Sequence, residues 1–208
     1  MAKLESTLKN MLVSLGGIAL VCALLLALVN ALTEKKIARV QEAKTAAAIA
    51  QVVPSFDGSP VDTTVLVDAQ EYLVHKAMAG GSVVGYAIET VTAGFGGPIN
   101  MMVGFSEDGE IYSTAVVSHS ETPGLGAKIT DNNSHFRTQF AHKKPAEGYA
   151  LAVTKDGGDV DAITASTITS RAFTLAVAKA YNVFLSVTGR QPGAEAEEPQ
   201  DGEGGSDD

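Results

Sequence analysis

Cysteine occurs once in the 208 residues, as Cys22 inside an apolar N-terminal run. No intrachain disulfide can form, and no thiolate metal or iron–sulfur centre can be built from this chain alone. A redox role therefore needs an imported cofactor. Basic residues are also scarce, 15 Lys and Arg against 24 Asp and Glu, and no basic stripe is present to hold a phosphate backbone, so nucleic acid is not an expected partner. The four histidines, His75, His119, His135 and His142, lack metal-ligand spacing. Glycine clusters at Gly94-Phe95-Gly96-Gly97 and Gly124-Leu125-Gly126, but neither has the spacing of a dinucleotide-binding turn. No nucleophile elbow surrounds Ser120. No internal repeat is apparent.

The net charge of −9 is local rather than general, because seven of the acids lie in the last fourteen residues. Removing them leaves 15 basic against 17 acidic residues (24 − 7), so the rest of the chain is near neutral. Residues 191–208, rich in Gly, Pro and Glu, cannot bury a core and are expected to form a disordered acidic tail.

What the sequence does have is a long apolar run. Met11 to Leu32 carries no charge, and as a helix its 22 residues would extend about 33 Å, roughly the hydrocarbon thickness of a bilayer. A transmembrane helix is expected at 11–32, after a short cytoplasmic segment, 1–10. The competing reading is a cleaved signal peptide, with Val29-Asn30-Ala31 as a passable small-x-small site, yet the run exceeds the usual apolar length of about 7–15 residues. Lys3 and Lys9 flank one end while Lys35, Lys36 and Arg39 flank the other, so the basic-residue rule leans slightly toward a cytoplasmic domain.

Residues 33–54 are Ala-rich, with Ile37, Val40, Ala47 and Ile49 apolar and Pro54 as a stop, which predicts a helix continuing the span. The domain expected at 55–190 opens with β-branched or alternating segments at Val61–Val67, Val83–Thr92, Met101–Phe105 and Ile111–Ser118. Turns are expected at Ala79-Gly80-Gly81, at 94–98 and at Glu107-Asp108-Gly109. A short helix at Lys128–Phe136, a strand at Tyr149–Thr154 and a long helix at Ile168–Leu185 ending at Gly189 complete the pattern. The fold class is α+β, a mainly antiparallel sheet with flanking helices behind one N-terminal transmembrane helix.

Asp161-Ala162-Ile163-Thr164-Ala165-Ser166-Thr167-Ile168-Thr169-Ser170 packs five hydroxyl side chains into seven residues where that long helix begins. Such residues are ordinary helix caps. A helix N-terminus also holds phosphate groups, and a hydroxyl placed there can bond covalently to one. The segment resembles the attachment motif of the FMN-binding domain family, with Asp161 at the acid position, Thr164 at the first hydroxyl, Thr167 at the flavin acceptor and Thr169 at the last hydroxyl. It departs from the pattern at Ala165-Ser166, where Gly-Ala is commoner, so Ser166 competes as acceptor. His119-Ser120-Glu121-Thr122-Pro123-Gly124-Leu125-Gly126 is similar to a second stretch found in the RnfG family of Rnf-type electron transport complexes, and Thr92, Gly94-Phe95, Gly97-Pro98-Ile99 and Val103-Gly104-Phe105 to others. With the N-terminal span the resemblance covers roughly residues 5–190, in order.

The resemblance implies an electron-relay subunit of a ferredoxin:NAD oxidoreductase complex that moves ions across the membrane, a redox subunit rather than a self-sufficient enzyme. Its cofactor would be covalent FMN on Thr167, with Thr164, Ser166, Ile168 and Thr169 beside it. Glu121, Thr122, Gly124, Leu125, Gly126 and Lys128 would form a flavin wall, in which Pro123 stiffens the loop and the glycines let backbone approach a flat ring. Glu121 and Lys128 would tune the ring or be solvated charges. Phe95, Phe105, Phe136 and Phe140 are expected in the core, Phe136 also as a candidate for flavin contact. Expected partners are the membrane and iron–sulfur subunits of the complex, a flavin transferase and the lipid bilayer. The resemblance places the protein in the inner membrane, single-pass, with its domain on the periplasmic side. Other readings stay open: the related C subunit of a sodium-translocating quinone reductase, a stand-alone extracytoplasmic flavin reductase, or a non-redox anchored scaffold.

Overall fold

The computed structural model describes residues 8–190. Most of the expected cytoplasmic N-terminus and the whole of the expected acidic tail lie outside them. The helix α1, Leu8–Val52, runs without a break through both helical segments expected from the sequence. Its most apolar stretch has a mean hydropathy of 2.8, and among the described residues it is the one helix long and apolar enough to cross a membrane. The chain divides at Thr45/Ala46 into two compact units.

The second unit is built on a five-stranded antiparallel meander in sequence order: β1 (Val61–Val67), β2 (Gln70–Ala79), β3 (Ser82–Ala93), β4 (Pro98–Ser106) and β5 (Ile111–Ser118). Two-residue turns close the first two hairpins with both central residues at positive φ, Asp68-Ala69 and Gly80-Gly81, the geometry that matches strand twist. Pro98 opens β4, a position where its missing N–H does little harm.

One face of the sheet packs against the long helix α3, Thr167–Thr188, which ends at Gly189 with φ 69°. Phe105, Phe136, Phe140, Phe173 and Phe184 fill that interface, with ring centroids of Phe105 and Phe184 5.1 Å apart. The other face carries a smaller core in which Ala48, Ile49 and Val52, from the end of α1, and Val53 just after it meet Ala77, Ala87, Met102 and Ala115. Small residues allow the close approach. At Gly104 a Cβ atom would lie 1.7 Å from the Val52 carbonyl oxygen.

The strand β2 is not apparent from the sequence, because Glu71, His75 and Lys76 interrupt its alternation. His75 is buried, and its Nδ1 lies 2.6 Å from Asp62 Oδ1 while Nε2 lies 3.4 Å from Glu89 Oε1. Burial disfavours the imidazolium, but hydrogen bonds to Glu89 and Asp62 outweigh it and raise the pKa above the ordinary value. The polar residue thus pairs with neighbouring strands instead of breaking the sheet.

Two other expectations fail. Tyr149–Thr154 forms no strand, since its backbone is satisfied within its own loop: Ala150 N–H donates to Asp159 Oδ2 at 2.7 Å, and Val160 N–H to the Ala152 carbonyl at 3.0 Å. The single helix expected at Lys128–Phe136 is a 3-10 turn, Gly126–Thr130, and a one-turn helix α2, His135–Thr138. Between them Asp131 Oδ1 accepts the Asn133 N–H, and Ser134 caps α2 by accepting from the Arg137 N–H. Those local bonds compete with continuous helix.

Candidate functional site

Three segments distant in sequence meet at the N-terminal end of α3: the β3–β4 turn, the stretch following β5, and residues 164–169. Glu121 joins them. Its side chain is only 5% exposed, Oε1 accepts the Gly96 N–H at 3.0 Å, and Oε2 accepts the Thr169 hydroxyl at 2.6 Å. The Glu121 N–H donates to His119 Nδ1 at 3.0 Å. Room for the carboxylate comes from two glycines, because a Cβ at Gly94 would lie 2.1 Å from Oε1 and one at Gly126 2.4 Å from Oε2.

Beside this latch lies a cavity of about 440 Å³, walled by Phe95, Glu121, Thr122, Leu125, Gly126 and residues 165–169. Its volume is within the range of about 300–1,000 Å³ typical of ligand pockets. No lysine, arginine or histidine is among the lining residues. The nearest cation along α3, Arg171, is engaged by Asp156 through two bonds of 2.7 and 2.6 Å. That bidentate pair lowers the Asp156 pKa and raises that of Arg171.

The helix end facing the cavity is uncapped. Ser166 occupies the N-cap position with no side-chain capping bond, so the first-turn amides keep the orphan N–H groups that a cap would engage. Ser170 holds the preceding loop instead: its hydroxyl accepts the Ile163 N–H at 2.9 Å and donates to the Ser166 carbonyl at 3.0 Å. The hydroxyls divide by environment. Thr169 is taken by Glu121; the Ser166 and Thr167 hydroxyls both line the cavity with no hydrogen bond among the described residues, and Thr167, half-buried where Ser166 is 7% exposed, is the more accessible of the two.

Ala165 adopts φ 62°, the left-handed conformation that L side chains resist and glycine accepts. This is the position where the sequence departs from the attachment motif, and the backbone gives the motif's glycine a physical reason. Ala165→Gly is expected to raise stability by about 0.5–1 kcal/mol, the relief of left-handed strain less the added freedom of the unfolded chain; a thermal melt that moves down would contradict it.

Of the residues singled out in the sequence, the cavity gathers Glu121, Thr122, Leu125, Gly126, Ser166, Thr167, Ile168 and Thr169. Thr164, Gly124 and Lys128 are exposed and do not line it. Phe136 is buried in the α3 interface against Phe140 and Phe173, away from the lining. Phe95, expected in the core, is 68% exposed and stands at the cavity rim. Its setting among Gly94, Gly96 and Gly97 is the available signal, since such a run makes a loop tip rather than a buried strand.

A model of the FMN-binding domain matches residues 94–182, and a model of the RnfG N-terminal region matches residues 1–52. The G subunit of the ion-translocating oxidoreductase complex of Shewanella piezotolerans is 34% identical over 188 residues, covering 83% of this chain and 87% of that protein. The corresponding protein of Erwinia tasmaniensis is 36% identical, over 79% and 84% respectively. The chain belongs to the RnfG family, the G subunits of ion-translocating oxidoreductase complexes. A solved structure of the C subunit of Na(+)-translocating NADH-quinone reductase from Parabacteroides distasonis has a TM-score of 0.48 and 24% identity, over 68% of this chain and 80% of that one. In this RnfG family member, every residue lining the cavity lies inside the stretch that matches the FMN-binding domain, and the RnfG N-terminal match ends on the last residue of α1.

Proposed function

We propose that this chain is a single-pass membrane subunit that relays electrons within an ion-translocating, Rnf-type oxidoreductase complex, carrying FMN joined through its phosphate to Thr167. The observation that carries the attachment site is the Thr167 hydroxyl, half-buried on the wall of the cavity at an uncapped helix N-terminus and free of any bond within the described residues. Orphan amides and the helix dipole favour a phosphate there. The cavity wall supplies no cation to hold a free phosphate monoester, which argues for a covalent link over reversible binding.

In this reading Ser166 and the first-turn amides of α3 hold the phosphate, while Phe95, Leu125 and Ile168 offer apolar surface to the ring system. FMN, when bound, supplies the acceptance and release of electrons, and the protein supplies position, exclusion of water and electrostatics. Glu121 keeps the three walls in register. A flavin transferase would make the bond, and the domain would face the periplasm with the span 11–32 in the inner membrane.

The assembly is tested by purifying the tagged full-length chain from membranes of its own host in mild detergent. Yellow protein accompanied by membrane and iron–sulfur subunits is the expected result. A colourless chain recovered alone would favour the non-redox scaffold.

A further inference from the structure

The Glu121 carboxylate has a role in the fold, but its charge is more than the fold requires. It is 5% exposed and forms no ion pair among the described residues. Both oxygens accept hydrogen bonds, Oε1 from the Gly96 N–H and Oε2 from the Thr169 hydroxyl, an arrangement suited to the ionised form. A neutral amide would serve the same geometry, since its oxygen can accept from Gly96 and its nitrogen can donate to Thr169. Burying an uncompensated charge is costly, and Gly94 and Gly126 are both needed to make room for it.

From this geometry we infer that the Glu121 carboxylate is an electrostatic element of the redox site, setting a low reduction potential for the group held in the cavity it lines. The inference rests on the reading of that cavity as the FMN site. A fixed negative charge close to a ring that gains electrons destabilises the reduced form, and in a water-poor cavity without a lining cation little screens it. Replacing the charge with an isosteric amide must then make reduction easier. No proton transfer from Glu121 is involved, and the electrons come from and go to the partner redox centres of the complex.

The test is a spectroelectrochemical titration of the flavin in the full-length wild type, Glu121→Gln and Thr169→Val, each expressed with a flavin transferase. Glu121→Gln is expected to keep covalent flavin and to shift the midpoint potential upward. Thr169→Val removes a hydroxyl that donates to the carboxylate and leaves the charge less offset, so its potential is expected to fall. An unchanged potential in flavin-loaded Glu121→Gln would overturn the inference and leave Glu121 a structural latch. So would an equal upward shift in both variants, which would trace the effect to lost geometry. Should Glu121→Gln fail to fold, a fall in Thr169→Val sustains the inference and a rise or an unchanged potential overturns it. Wild type without flavin would instead overturn the functional reading on which the inference rests.

Discussion

Thr167→Ala, expressed with an active flavin transferase, is expected to fold normally and to carry no flavin that survives denaturation. The two halves of that result have separate causes. Thr167 is half-buried and its hydroxyl makes no hydrogen bond within the described residues, so losing its hydroxyl and methyl should change stability by no more than about 0.5 kcal/mol. The proposed attachment, by contrast, depends on that one oxygen. Thr167→Ser, which restores it, is expected to recover flavin, and Ser166→Ala to retain it. In-gel fluorescence of denatured samples reads all three. Persistent fluorescence in Thr167→Ala would move the acceptor to Ser166, whose hydroxyl lies on the same wall, or to Thr169 if the Glu121 bond opens.

The second large effect lies on the opposite face of the sheet. Gly104→Ala places a methyl 1.7 Å from the Val52 oxygen and 2.4 Å from its carbonyl carbon, so the end of α1 must lift or β4 must bend. Both neighbours are backbone, which yields less readily than a side chain. A loss of about 3 kcal/mol is expected, at the upper end of overpacking penalties, with new proteolytic sensitivity around residues 46–56. Gly58→Ala is the control. Its added Cβ would meet nothing within 4 Å, and at φ 70° the change costs left-handed strain less the freedom lost by the unfolded chain, about 0.5–1 kcal/mol. Equal losses in the two variants would show that the α1 end contributes little to the domain.

The architecture is legible where local chemistry and tertiary contacts agree. The apolar run and its Ala-rich continuation specify one helix, and the hydroxyl cluster followed by Phe173, Val177, Ala180 and Phe184 specifies α3 and its buried face. Legibility is lost where a side chain's partner lies on another strand. His75 is out of place in a strand without Asp62 and Glu89 beside it, and no periodicity argument contains that trio. Tyr149–Thr154 has strand-like composition, but Asp159 ties its backbone into a loop.

The candidate site shows the same division. The 119–126 and 161–170 segments announce themselves by glycine spacing and hydroxyl density, and the fold brings them together around one cavity. Glu121 is visible in the sequence as a charge near a glycine-rich turn, yet its burial is not, because that depends on the absence of a Cβ at Gly94 and Gly126 from two different segments. Lys128 looks equivalent in sequence and turns outward. Phe95 shows the reverse error, an aromatic assigned to the core on hydrophobicity alone while its glycine neighbours put it at a rim.

The central claim is that this chain carries FMN covalently at the start of α3, and intact mass of the denatured full-length protein, co-expressed with a flavin transferase, tests it most directly. An increase of about 438 Da, one FMN less one water, that fragmentation of the peptide spanning residues 156–171 assigns to Thr167 is the expected result. An unshifted, colourless chain from cells whose transferase demonstrably flavinylates another substrate would contradict it.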